Sequence, residues 1–215
     1  MPQISDLLPT WETYTVFPNR KKDAMRSRVL TFSISAIAVV TLAGCSSSDT
    51  STEATNSSSS SQQQFNDDDV MFAQMMIPHH EQAIEMSDIA LDPTIGASDV
   101  VREIATEIKS AQDPEIAFMK GVLTSWGKSV EMDASMDHSE MMDGMLTLDE
   151  LTALGELRGS AFDTAWLEAM IRHHEGAVSM AQDVIEKGIN QELIDLASKI
   201  IAAQQAEIDA MKALL

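Results

Sequence analysis

The apolar residues beyond residue 66 recur at intervals of three, four and seven positions, the spacing that places side chains on one face of an α-helix. This periodicity predicts four amphipathic helices, at about residues 69–91, 98–126, 163–186 and 190–215. We expect the acidic residues 67–69 and Asp163 to cap the first and third helices, and Pro114 to kink or break the second. Because no segment alternates convincingly with a period of two, we predict an all-α fold.

The chain also contains an internal repeat. The sequence MIPHHEQAIEM at residues 76–86 returns 94 residues later as MIRHHEGAVSM, and positions within residues 104–120 recur 92 residues further on. Each half is therefore predicted to form a helical hairpin, and the two amphipathic hairpins to bury their apolar faces against each other as a four-helix bundle. The predicted parts are a first hairpin at 65–127, a long crossover at 128–159 with a short helix at 149–157, and a second hairpin at 160–215.

A different pattern precedes the repeat. Residues 25–28 include two arginines, residues 29–42 are mostly apolar but too few to span a bilayer comfortably, and the sequence LAGC follows and ends at Cys45. This order resembles a bacterial lipoprotein signal peptide over residues 25–44. In such signals the cysteine is lipidated and becomes the mature N-terminus, which is the role we expect for Cys45.

The segments on either side of this signal are not expected to belong to the folded domain. Met25 is the expected start of translation, and residues 1–24 are expected to be a leader without fold content. Residues 45–64 are rich in Ser, Thr and Gln and are predicted to be a flexible tether. The protein is therefore predicted to be exported and held by its lipid anchor at the outer face of the cell membrane, in the periplasm or in the cell envelope.

The charge balance argues against nucleic acid and anionic lipid as partners. The chain has 34 acidic and 14 basic residues, of which three and five precede Cys45, so nine basic and 31 acidic side chains follow it. Such a surface repels nucleic acid and anionic lipid.

Aromatic residues make up only 5% of the chain, which has 15 methionines, so we expect a core of aliphatic and thioether groups. The single cysteine excludes an intramolecular disulfide.

Four of the five histidines form two adjacent pairs, His79–His80 and His173–His174, one in each repeat. Each pair falls near the middle of a predicted helix, so we expect the pairs to meet at the same height in the bundle, where such folds build metal sites. Adjacent helical residues point about 100° apart, so a pair cannot send both rings to one point. His79 shares its face with Met75, Met76 and Met86, and His173 with Met170 and Met180. Imidazole with thioether suits copper, especially Cu(I), with Cu(II) as an alternative.

Other polar residues repeat together with the histidines. Glu81 and Glu175 directly follow the two pairs and are either partners of the rings or ordinary solvated residues. Candidates to cap or orient the rings across the bundle are Gln112, Glu115, Gln204 and Glu207. The alternative for the site as a whole is that the methionines fill the core and the histidines are satisfied polar core residues.

A second group of soft ligands lies in the crossover. Six Met or His residues fall within residues 132–145, among acidic residues and without an apolar helical face. A flexible run of this kind suits reversible capture of Cu(I) in an oxidising compartment, and the alternative is a methionine-rich linker without function. The candidate ligands in this segment are Met136, His138, Met141 and Met142.

At MMIPHHEQAIEM and MIRHHEGAVSM, and at the later AQDPEIAFM and AQQAEIDAM, the chain resembles the DUF305 family, which includes CopM-like copper-binding proteins. The resemblance covers residues 66–215 and implies a ferritin-like four-helix bundle, secretion and, for some members, copper binding or copper tolerance. The chain has Ala169 where its first half has Met75, so the halves differ in thioether supply. The ligand pool that the resemblance implies is Met76, His79, His80, Met86, Met170, His173, His174 and Met180.

These observations favour an exported, lipid-anchored protein that binds copper and sequesters or delivers it, with any protein partner left open. We recognise no nucleophile–base pair, phosphate loop or cofactor motif, so an enzyme is not predicted. Zinc would more often add thiolate or carboxylate ligands, and a di-iron site needs Glu-x-x-His, which the repeated helices lack. Two alternatives stay open: a metal-free envelope interaction module with structural histidines, and a metal-dependent redox enzyme with an open coordination position.

Overall fold

The computed structural model describes residues 64–131 and 142–215, and in this part of the chain helices joined by loops are present without β-strands. Its helices are α1 (Asp67–Leu91), α2 (Asp99–Ser125), α3 (Leu148–Glu156), α4 (Gly159–Lys187) and α5 (Gln191–Lys212). The predicted all-α bundle is confirmed, and α3 is the short helix expected in the crossover. None of the helices in the described ranges is long and apolar enough to cross a membrane. The predictions for residues 1–63 and 132–141 lie outside these ranges.

The ends of the helices follow local capping chemistry. The side chain of Asn66 accepts a hydrogen bond from the backbone N–H of Asp69, and the Asp69 carboxylate accepts one from the backbone N–H of Asn66, each at 2.9 Å. Asn66 therefore caps α1, and the acidic residues that we expected to cap it lie in the first turn, where they favour the positive end of the helix. Ser98 and Asn190 cap α2 and α5.

Two predictions about the helices are wrong. Asp163 does not cap the third long helix, because α4 begins four residues earlier at Gly159 and the Asp163 carboxylate accepts the backbone N–H of Ser98 at 3.1 Å. Of the two outcomes expected at Pro114, the break is wrong, because α2 runs continuously through it, and the kink stays a prediction. A proline inside a helix costs about 3 kcal/mol or more, and packing along the neighbouring helix offsets that cost here.

The long helices form two antiparallel hairpins. α1 packs against α2 and against α4, and α4 packs against α5. Lys120 forms an ion pair with Glu81 at 2.6 Å, and Lys109 forms one with Asp88, so α1 and α2 run antiparallel. The two halves of the repeat therefore meet through α1 and α4, the helices that carry the histidine pairs.

Two apolar clusters form the core, and a polar layer lies between them. The first cluster includes Phe72 and Met76, and the second includes Phe162 and Trp166. Neither cluster contains the four histidines, although all four are buried. The core is thus apolar at both ends of the bundle and carries imidazoles in the middle.

Asp69 fastens the first hairpin to the second. Its carboxylate is fully buried, and besides Asn66 it accepts the backbone N–H groups of Ile189 and Asn190 at 3.2 Å. Asn66 in turn donates from its side chain to the backbone oxygen of Lys187 at 2.8 Å. One carboxylate therefore satisfies the start of α1 and the loop between α4 and α5 at once.

We predict that Asp69→Ala lowers the free energy of unfolding by about 2–3 kcal/mol, because it leaves buried N–H groups without an acceptor. Asp67→Ala is the matched control, since Asp67 is exposed in the same helical turn and its loss should cost less than about 1 kcal/mol. Urea unfolding of the two variants measures the difference. Equal losses would contradict the role assigned to Asp69.

Candidate metal centre

The middle of the bundle brings the two histidine pairs together. The rings of His79 and His173 face each other across the contact between α1 and α4, with ring centroids 3.8 Å apart. His80 and His174 also lie inside the bundle and turn towards α2 and α5. The expectation that the two pairs meet at one height agrees with this geometry, and both members of each pair are at most 1% exposed.

Carboxylates from the partner helices hold the second ring of each pair. His80 donates from Nε2 to Glu115 at 2.8 Å, and His174 donates from Nε2 to Glu207 at 2.7 Å. The expected orienting role of these two glutamates is therefore confirmed. Hydrogen bonding of one ring nitrogen to an oxygen is the arrangement that fixes a metal-binding histidine and leaves its other nitrogen for the metal.

Glu81 and Glu175, which directly follow the histidine pairs, have a different role. Both are exposed, and they form ion pairs with Lys120 at 2.6 Å and with Lys212 at 2.8 Å. The sequence left two roles open for them, partners of the histidine rings or ordinary solvated residues, and the second is the one observed.

His79 is held by the backbone of the crossover. Its Nε2 donates to the backbone oxygen of Asp143 at 3.2 Å, in a segment that we call the crossover loop, residues 142–147. Gln82 secures the same loop, because its side chain donates to the backbone oxygen of Leu146 at 2.8 Å and accepts the Leu146 N–H at 2.7 Å. The crossover loop therefore lies directly over the histidine pair.

A glycine in α4 makes this close approach possible. A Cβ atom on Gly176 would lie 1.8 Å from the backbone oxygen of Asp143. Gly144 has φ of 86°, in the left-handed region, and a Cβ there would lie 2.3 Å from the backbone oxygen of Arg172. Two missing side chains thus let the loop touch α4 and place a carbonyl on His79.

Several ring nitrogens have no hydrogen-bond partner among the described residues. They are Nδ1 of His79, His80 and His174, and both nitrogens of His173. Each buried polar group without a partner costs about 1–3 kcal/mol, a cost that an aliphatic side chain would avoid. Lone pairs collected in a dry core are the donors that a metal ion uses.

The protonation states of the central rings favour metal binding. Burial, and after it the neighbouring His80, lowers the pKa of His79 to about 3. Burial, and after it the neighbouring His79, holds the pKa of His173 well below 6.5. Both rings are therefore neutral at pH 7, the form in which imidazole binds a metal.

The predicted thioether ligands lie on both sides of the histidines. Met76 and Met180 belong to the first core cluster, and Met86 and Met170 belong to the second. In the described part of the chain, no three His, Cys, Asp or Glu side chains converge on a metal position. Thioethers would therefore have to complete a coordination shell. Met142 is partly buried against the first cluster, whereas Met136, His138, Met141 and Cys45 lie outside the described residues.

Sequence reasoning missed the crossover loop. The backbone oxygen of Asp143 and the side chain of Gln82 were not among the expected site groups. One signal was present, because the repeat aligns Gln82 with Gly176, which is an exchange of a long polar side chain for none. That exchange marks the two contacts by which the loop is held.

Comparison with known proteins gives consistent matches. The profile of a family described as a domain of unknown function, DUF305, matches residues 69–215. The fold is similar to a DUF305 protein of Streptomyces coelicolor described as secreted, with 32% identity, a TM-score of 0.64 and coverage of 69% of this chain and 91% of that one. It is also similar to a DUF305 fragment from Deinococcus radiodurans, with 30% identity, a TM-score of 0.62 and coverage of 69% and 95%.

A further similar structure is that of CopM in its Cu(I)-bound form, with 32% identity, a TM-score of 0.56 and coverage of 68% of this chain and 94% of that one. CopM is also known in Cu(II)-bound and Ag-bound forms. No curated protein sequence matches the chain.

We predict a characteristic pH dependence for the metal-free protein. Because the pKa of His79 is about 3 in the folded chain and near 6.5 when unfolded, acid protonates the unfolded chain first. The stability is fully present above pH 6.5 and falls as the pH drops towards 3, by up to about 1.4 kcal/mol per pH unit for each such ring. The free energy of unfolding is measured with denaturant at a series of pH values for the parent and for a His79→Leu, His173→Leu variant. It should fall less steeply with decreasing pH in the variant. Identical slopes would contradict the neutral, buried state of the two rings.

We also predict that Gly176→Ala destabilises the protein by about 1–3 kcal/mol, because the new methyl group collides with the backbone of the crossover loop. Gly121→Ala is the matched control, since no atom lies within 4 Å of a Cβ there and alanine favours a helix by up to about 1 kcal/mol. Thermal or urea unfolding separates them. A Gly176 variant as stable as the control would contradict the close contact between Gly176 and the crossover loop.

Proposed function

Because the chain belongs to the DUF305 family, we propose that it is an exported, lipid-anchored protein of the cell envelope that binds copper and sequesters or delivers it. Copper-bound and silver-bound structures are known for CopM, which shares about a third of its residues with this chain. A metal ion is the partner that this relationship supports. The preference for Cu(I) over Cu(II) is part of the proposal.

The observation that carries the proposal is the state of the ring nitrogens in the bundle. Among the described residues, three rings each have Nε2 bound to an oxygen acceptor and Nδ1 without a partner, and neither nitrogen of His173 has one. A packing role would favour rings with both nitrogens satisfied or an apolar residue in their place. The arrangement instead fits rings that are oriented in advance for a ligand.

The donor set favours a soft metal. Imidazole and thioether groups are both buried in the bundle, and the chain has no cysteine other than Cys45, which we propose to be lipidated. Such a set suits Cu(I) and accommodates Cu(II), and it is less suited to zinc. The residues that we propose as ligands in the bundle are Met76, His79, His80, Met86, Met170, His173, His174 and Met180.

We propose a separate task for the crossover. Met136, His138, Met141 and Met142 would capture copper in a polar segment, and the histidine layer would hold it. This division is supported by the crossover loop, which carries Met142 and whose backbone binds His79. The proposed role is binding and transfer without catalysis.

The test is a metal titration of residues 46–215, which exclude the signal and the lipidated cysteine. We expect copper to bind more tightly than Zn(II) or Fe(II). Changing His79, His80, His173 and His174 to Gln should weaken Cu(I) binding at least tenfold. The changes Glu115→Gln and Glu207→Gln should weaken it by about 10–100-fold, since they remove only the partners that orient the rings.

The matched control changes Glu81 and Glu175 to Gln, which removes the exposed carboxylates next to each histidine pair and should leave copper binding unaltered. Circular dichroism confirms that each variant is folded. If the histidine variant bound copper undiminished, the bundle would not be the site. Deletion of residues 132–141 then shows whether capture depends on the crossover.

A further inference from the structure

A cleft of about 300 Å³ lies between α1 and α4. Met71 and Met75 of α1 and Met180 of α4 line it, together with Asp143 of the crossover loop. Met71 and Met75 are one helical turn apart and therefore share a face of α1. The cleft thus brings together three thioethers, and only Met180 was expected to be a ligand.

These methionines differ in exposure from the other candidate ligands. Met75 and Met180 are 5% and 8% exposed and Met71 is partly buried, whereas Met76, Met86 and Met170 are fully buried. The cleft therefore places one partly exposed methionine, Met71, beside two that are almost fully buried, so a cation could approach the site from the side of Met71.

The internal repeat provides a comparison within the same molecule. The positions equivalent to Met71 and Met75 in the second half are Ala165 and Ala169. These alanines pack against the second core cluster, which includes Leu151 and Leu154 of α3. Where the repeat would place a second such cleft, the chain thus has two alanines, which pack against the cluster that includes residues of α3. Of the three cleft methionines, Met180 corresponds to Met86 in the repeat, whereas Met71 and Met75 have no sulfur counterpart in the other half. A general preference for methionine in the core does not explain this difference between the halves.

The charge of the cleft also suits a cation. Asp68 and Asp183 line it, and Lys187, the one basic side chain that the described residues contribute to the lining, is paired with Asp183 at 2.8 Å. The carboxylates lie at the rim of a thioether-lined pocket, and thioethers do not take up protons in water. The combination favours a soft, singly charged metal ion.

We propose that Met71, Met75 and Met180 form a thioether site for Cu(I) or Ag(I), which shares Met180 with the ligands proposed for the bundle and contains none of the histidines. The inference rests on the proposed function for the class of metal. Asp143 joins the two places, because it lines the cleft while its backbone oxygen binds His79. A cation in the cleft is therefore one residue away from the central rings.

The test uses the full chain in detergent, with methionine methyl groups labelled with ¹³C and assigned through single Met-to-Leu variants. Ag(I) is the probe, because it is soft and does not change oxidation state. We expect the methyl resonances of Met71, Met75 and Met180 to shift together during the first equivalent. The combined change of these three residues to Leu should weaken Ag(I) binding at least tenfold.

The matched control is Met119→Leu with Met211→Leu, which removes buried thioethers of α2 and α5 and should leave Ag(I) affinity unaltered. Histidine ring resonances are recorded in the same titration. If the rings shift and the three methyl groups do not, the cleft site is overturned and the proposed function stands. If neither responds to Ag(I) nor to Cu(I), both are overturned.

Discussion

Four imidazole rings in the middle of a packed core impose a hydrogen-bonding demand that the rest of the bundle has to meet. Partners must come from other segments, because a ring within a helix cannot bind the helix's own backbone groups, which are already paired. α2 and α5 supply the carboxylates of Glu115 and Glu207, and the crossover loop supplies a backbone oxygen. Each of these bonds joins α1 or α4 to a neighbouring segment, so the polar layer also sets the register of the hairpins.

This demand is met only in part, and the remainder points to function. The ring nitrogens that lack a partner among the described residues are chemically alike and buried. Proteins accept such costs where a ligand later satisfies the groups, whereas a layer kept for packing alone would gain stability from aliphatic side chains. The acidic surface and the single cysteine agree with a site whose chemistry depends on imidazole and thioether.

Much of the fold could be predicted from the sequence because both signals behind it are strong. Helical periodicity extends over four long segments, and the repeat shows which segments are equivalent. The errors concern features that tertiary contacts decide: Asp163 binds the N–H of Ser98 instead of capping its own helix, and α2 tolerates Pro114. Within the site, the histidine rings and their glutamate partners could be predicted from the sequence because they occur in both repeats. The carbonyl of Asp143 and the cleft beside Met71 were not, since both depend on where a single crossover returns to the bundle.

The same crossover gives the repeat a property that its helices alone would lack. Each hairpin carries half of the imidazole layer, and two identical hairpins related by a two-fold axis would have two equal flanks. The crossover loop distinguishes those flanks, because Gln82 and Gly176, which the repeat aligns, hold it in different ways. Two halves joined in one chain need not have equal flanks: on one flank small residues pack beside α3, whereas the other flank carries the partly buried Met71 in a cleft.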